Sequence, residues 1–185
     1  CYFKLQNFLN LEILYMCYVN NFEIFDADNV TIDNSTGSHE HSLTDEFVSG
    51  IYVDEGVMRS FPSGIEKVFP NLVSITFFLM ELREVHQKDL KAFPKLKFLS
   101  LDGNLLEVIE ADLFKYNEEL EIIMMTGNRI RHIDSKVFTH LKKLEILFLN
   151  RNQCETSLKS EELNGIAEKI ITRIQAKKCF DSTVI

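Results

Sequence analysis

One spacing constrains this chain more than any other feature: between Leu72 and Cys154, apolar residues recur every 24 positions without an insertion or deletion. The step links Leu72, Leu96, Leu120 and Leu144; Ile75, Leu99, Ile123 and Leu147; and Phe77, Leu101, Met125 and Leu149. A polar column runs Asn104, Asn128 and Asn152, with Met80 in the corresponding earlier place. Further along each segment come Val85, Ile109 and Ile133, then Leu90, Phe114 and Phe138. A weaker copy precedes these at Val48, Ile51, Val53, Gly56, Met58 and Phe61. Amphipathic helices do not hold several columns in register over four segments, so the period belongs to a stacked repeat.

The alternation within each segment suits a short strand that points two apolar side chains inward and one residue outward. Leu101 is then an inward position and Ser100 an outward one. Strands of successive turns pair in parallel along one side of a solenoid, and the later Ile and Phe columns close the core from the other side. Each Asn falls where the chain leaves the strand, placed to satisfy backbone groups of a buried turn.

The segments LKFLSLDGN (96–104), LEIIMMTGN (120–128) and LEILFLNRN (144–152) carry a resemblance. They are similar to the typical 24-residue leucine-rich repeats of extracellular proteins, as in Toll-like receptor ectodomains and small secreted arthropod repeat proteins. Gly56 and Met80 depart from the Asn column. The resemblance implies an α/β leucine-rich repeat solenoid with a curved, parallel, concave sheet. It also implies a protein-recognition role in innate immunity, cell-surface signalling or extracellular matrix, without selecting a ligand.

The ends of the chain read as caps, which a solenoid needs over its exposed core. Residues 1–26 are apolar outside the repeat register and form the expected N-terminal cap, with Leu14, Met16 and Tyr18 alternating as in a strand. Repeats occupy 27–154 as about six turns. The first is degenerate, with Val30 and Ile32 at its inward strand positions, and the last merges into the following cap. Residues 155–185 form the C-terminal cap: Leu163, Ile166, Ile170 and Ile174 share one helical face, with Glu161 and Glu162 in its first turn and Lys177 and Lys178 in its last. The four cysteines lie two at each end, which predicts the disulfides Cys1–Cys17 and Cys154–Cys179, each worth roughly 3 kcal/mol in the chain-entropy account. That usage, with the sequons at Asn29 and Asn34, indicates a glycosylated, secreted protein whose signal peptide has been removed.

Composition narrows the chemistry. A net charge of −8 argues against generic nucleic-acid binding, which needs cationic contacts to phosphate. No apolar run approaches the ~18 residues of a membrane span. His39-Glu40-His41 sit in a polar loop, and His132, Asp134 and His140 fall on flanking loops, so no metal, cofactor or catalytic motif emerges and an enzyme is not expected. What the strands display outward is informative. Phe98, Ile122, Met124, Ile146 and Phe148 make an apolar row over the last three turns, joined by Tyr52, Phe78 and Asn150. Contiguous apolar surface of this kind marks an interaction site. The expected partner is a protein ligand on the concave face; a homodimer using the same face is the alternative.

Overall fold

A computed structural model describes residues 4–5, 14–19, 28, 30–32, 47–54, 56–134 and 136–153. Its frame is a seven-stranded sheet of β1 (Lys4–Leu5), β2 (Leu14–Val19), β3 (Gly50–Asp54), β4 (Ser74–Phe78), β5 (Phe98–Ser100), β7 (Ile122–Met124) and β9 (Ile146–Phe148) in that spatial order. Strands β2 to β9 pair in parallel, while β1 lies antiparallel on β2. From β3 onward the Cα partners are one repeat apart, as in Ile51 with Ile75, Leu99 with Ile123 and Ile123 with Leu147. The 24-residue period is therefore the register of the sheet.

The opposite side of each turn is built from short pieces. α1 (Ile65–Val68) and α2 (Gln87–Leu90) are single helical turns. In the next two repeats the strands β6 (Val108–Ile109) and β8 (His132–Ile133) pair with each other. Between the two sides lies one continuous core. The inward strand columns are at most 2% exposed, and Leu90, Phe114 and Phe138 close the core from behind. Phe114 and Phe138 stack at 5.8 Å between ring centroids, and Phe61 meets Phe77 edge-on at 5.2 Å. The α/β solenoid class expected from the sequence is the one observed.

The Asn column binds the turns together. Asn104 Oδ1 accepts from the backbone N–H groups of Met80 (3.0 Å) and Leu82 (3.1 Å), and its Nδ2 donates to the carbonyls of Phe77 and Leu101. Asn128 repeats this toward Leu106 N–H and the carbonyls of Leu101 and Met125, and Asn152 toward Ile130 N–H and those of Met125 and Leu149. Each amide thus closes its own turn and clasps the preceding one. On the other side Asn117, fully buried, donates to Leu90 O (2.9 Å) and Phe93 O (2.8 Å) of the turn before. It stands outside the repeating columns, so a periodicity search passes over it.

Where Met80 replaces Asn, the main chain supplies the missing acceptor. Met58 N–H donates to the Met80 carbonyl at 2.7 Å, in the register position where Leu82, Leu106 and Ile130 bond to an Asn. The loop bends to do so through left-handed backbone at both Leu79 (φ 54°) and Glu81 (φ 61°). The residue before each Asn is left-handed as well, at Gly103, Gly127 and Arg151, but among the described residues only this turn has a second such residue. Each left-handed non-glycine residue costs about 1–2 kcal/mol.

The first turn departs from expectation. β3 pairs with β2, Met16 opposite Gly50, so this turn is longer than 24 residues. Val30 and Ile32 do not occupy a sheet strand. Val30 is buried and Ile32 packs on the core, but Thr31 bridges to Ser63 and Ile32 N–H donates to Ser63 O at 2.8 Å, on the far side of the turn. The pattern V-x-I suits either side of a solenoid, and the longer first turn shifts the count. The strand expected around Leu14–Tyr18 is present as β2. The expected caps fall mainly outside the described residues, as do Cys1, Cys154, Cys179, Asn29 and Asn34; of Cys17 only its place in β2 is described.

These bonds generate a ranking. Asn104→Ala strands the buried N–H groups of Met80 and Leu82 and takes a donor from the Phe77 carbonyl, while the Leu101 carbonyl keeps Asn128, and it should lower unfolding free energy by about 3 kcal/mol. Asn152, which is only half-buried, should cost less on the same substitution. Urea melts of the two variants check the order.

Candidate binding face

Each strand offers three outward positions, and the repeat stacks them into columns. The first column is Gly50, Ser74, Phe98, Ile122 and Ile146, in register from strand to strand. The second is Tyr52, Thr76, Ser100, Met124 and Phe148. The third lies at the strand exits: Asp54, Phe78, Asp102, Thr126 and Asn150.

The structure brings the predicted apolar residues together on neighbouring strands. It also shows that they are less open than expected. Ile122 is 3% exposed and Ile146 6%, while Tyr52, Phe78, Phe98, Met124, Phe148 and Asn150 are half-buried. Neighbouring strands lie ~4.8 Å apart, and side chains on the hollow side of a curved sheet converge. Two Ile in adjacent register therefore cover each other. Ile122 and Ile146 form a floor, and Phe98, Met124 and Phe148 carry the accessible part of the row. Both Ile lie outside the continuous core cluster, and Tyr52, Val73 and Phe98 pack on a second, smaller apolar cluster.

The same crowding buries the small polar residues. Ser74 lies opposite Phe98 and Thr76 opposite Tyr52, and Ser74, Thr76 and Ser100 are 2%, 6% and 5% exposed. Ser100 is an outward residue, but not a solvated one. Its Oγ donates to Asp102 Oδ2 at 3.2 Å, while Asp102 Oδ1 accepts from Thr126 N–H at 2.6 Å. Burial pushes the Asp102 carboxyl above its ordinary value, against the pull of the bonds from Thr126 and Ser100. At the opposite edge of the sheet Lys97 pairs with Glu121 at 3.3 Å.

The histidines do not assemble a centre. His132 is exposed on β8, and a His140 ring nitrogen lies 2.9 Å from the Phe114 carbonyl. His86 sits between Glu84 (3.5 Å) and Glu110 (3.6 Å) while capping α2. Among the described residues no group of three or more His, Cys, Asp or Glu is placed to hold a metal ion. His39 and His41 lie outside them. Among the same residues no helix is long and apolar enough to cross a membrane.

Two expectations follow from this geometry. Leu101→Asp and Ser100→Asp should both destabilise: the first places a carboxylate in the core, the second sets one against Asp102 in a covered site. Thermal melts by circular dichroism check both. The second expectation concerns pH. Because the folded Asp102 pKa is raised, the folded state holds that proton to higher pH than the unfolded chain does. Its contribution to stability therefore falls as pH rises from the ordinary carboxyl value of 3.8 through the folded pKa, and its penalty is absent well below 3.8. Asp102→Asn should gain on the parent as pH rises from 3.5 to 7, read from paired urea melts.

Comparison with known proteins agrees with the fold. Residues 82–153 match the family model for the leucine rich repeat. Among solved structures, Toll in the Toll–Spatzle complex, a hub of Drosophila development and innate immunity, superposes with TM-score 0.58 at 21% identity over 64% of this chain. The leucine-rich repeat domain of APL1B gives 0.54 at 23% over 60%, and the LRIM1/APL1C complex 0.53 at 23% over 60%. This chain spans 16%, 32% and 20% of those three chains. Among curated protein sequences none matches significantly.

Proposed function

We propose that this leucine-rich repeat protein is a secreted, non-enzymatic recognition module that binds a protein ligand on the C-terminal half of its concave face. The observation that carries the reading is the row Phe98, Met124 and Phe148. These residues point away from the core on a sheet face whose other duties are met by small buried Ser and Thr, yet they are large, apolar and half-exposed. A row of that kind is retained for contact with something outside the chain.

Other observations support it more generally. Two of the structures with this fold are protein complexes, Toll with Spatzle and LRIM1 with APL1C, and the property transferred is the coarse one of binding protein. Cysteines at both chain ends and sequons at Asn29 and Asn34 favour an extracellular, disulfide-bonded glycoprotein.

Met124→Lys and Phe148→Glu should each abolish binding of the protein ligand while leaving the melt intact, since each forces an unpaired charge into an apolar contact. Lys67→Glu, exposed on α1, should be silent. Affinity measurement on a ligand captured from extracellular fluid checks the three. Light scattering that gives a dimer lost on Phe148→Glu would replace the ligand with a second copy of this chain.

A further inference from the structure

The row Phe98, Met124 and Phe148 limits the shape of what can lie on it. Met124 and Phe148 are Cα partners on β7 and β9, and Phe98 on β5 is the partner of Ile122, two residues before Met124. Three strands at ~4.8 Å span about 10 Å, so the row runs across the strands rather than along one. The backbone groups beneath it belong to the sheet ladder, and the small polar neighbours Ser74, Thr76 and Ser100 are buried. A partner segment pressed on this row meets apolar side chains where its own backbone would need hydrogen-bonding groups. An extended chain would leave N–H and C=O groups unpaired there, whereas an α-helix satisfies them internally. Two helical turns advance about 11 Å and place residues i, i+3 or i+4 and i+7 on one side, which matches the row.

The two edges of the row carry opposite charge. Just past the exits of β7 and β9 stand Arg129 and Arg151, both exposed, and neither enters an ion pair among the described residues. The exit residues before them, Thr126 and Asn150, are uncharged, and Asp102, one turn back, has both oxygens engaged by Ser100 and Thr126. At the strand starts Lys97 pairs with Glu121 and Lys143 with Glu119. Glu145 of the last turn is exposed there and has no ion-pair partner among the described residues. Glu145 and Arg151 are at most ~20 Å apart at the rise of a strand, and a helix with its side chains is about 10–12 Å wide. Long charged side chains bridge the remainder on each side.

We infer that the row receives an amphipathic α-helix of a protein partner, laid across β5, β7 and β9. Its aliphatic stripe covers Phe98, Met124 and Phe148 above the floor of Ile122 and Ile146. Acidic residues on one flank of the helix meet Arg129 and Arg151, and a basic residue on the other meets Glu145. Because the two flanks differ in sign, such a helix lies in one direction only. The inference rests on the concave-face reading and adds to it the form and charge of the ligand.

The test is an NMR titration of the full chain with the acetylated, amidated peptide AAKLEAKLEALEAKLEA, whose leucines form one helical stripe between a glutamate flank and a lysine flank. Saturable shifts at the Met124 and Phe148 amides are expected. Kd should rise by roughly tenfold or more in Phe148→Glu, and when proline replaces the alanine before the third leucine and breaks the helix. It should rise severalfold when glutamine replaces the peptide's glutamates, and for Arg129→Gln/Arg151→Gly, where glycine suits the left-handed backbone at 151 (φ 57°). Lys67→Glu should leave it unchanged. Binding that is lost in Phe148→Glu yet equal for the proline peptide, or equal for the glutamine peptide and the arginine variant, would overturn the charged helix and keep the concave face. Binding unmoved by Phe148→Glu would overturn both. No saturable shift up to millimolar peptide would overturn the helix alone, since a ligand captured from extracellular fluid tests the concave face separately.

Discussion

The buried side-chain amide of the Asn column is what makes a stack of short turns into one body. A strand of three residues, as in β5, β7 and β9, cannot satisfy the polar groups of the loop that follows it. That loop dives inward to deliver Leu82, Leu106 or Ile130 to the core, and takes its N–H groups out of water as it does. An unsatisfied buried N–H costs about 1–3 kcal/mol, a large share of a domain's total stability. Asparagine carries an acceptor and two donors on one short stem, and so meets both turns at once.

The Met80 turn shows how closely side chain and main chain trade places. Without the amide, the carbonyl of Met80 turns to meet Met58 N–H, and the backbone accepts left-handed φ at Leu79 and Glu81 to allow it. The buried methionine fills the volume with apolar contacts that Asn could not make. One position thus exchanges hydrogen-bond geometry for packing, and the strain is passed to its two neighbours. The residue on the rim at this position is the aliphatic Leu79, where the next two turns have Gly103 and Gly127.

Much of this was legible because the period fixes inward and outward positions together. Leu72, Leu96, Leu120 and Leu144 repeat because each must fill the same slot, so the sheet register follows directly from counting. What could not be counted lay in two places. The link from β2 to β3 breaks the period, and Val30 and Ile32 consequently read as a strand although they pack behind one. The concave face misleads differently: outward was equated with solvated, whereas Ile122, Ile146, Ser74 and Ser100 are covered by neighbours on adjacent strands. Direction is a property of the backbone and can be counted; exposure depends on the size of residues 24 positions away on either side. Asn117 was missed because it is used once, and a single use leaves no period.

The acceptor bonds of the Asn ladder all reach one way: Asn104 back to Met80 and Leu82, Asn128 to Leu106, Asn152 to Ile130. The ladder is therefore polar, as a filament is. A turn can dispense with its own asparagine and still be held by the next, which is the situation of the Met80 turn, but it cannot dispense with its successor. Growth or loss of repeats is consequently unequal at the two ends.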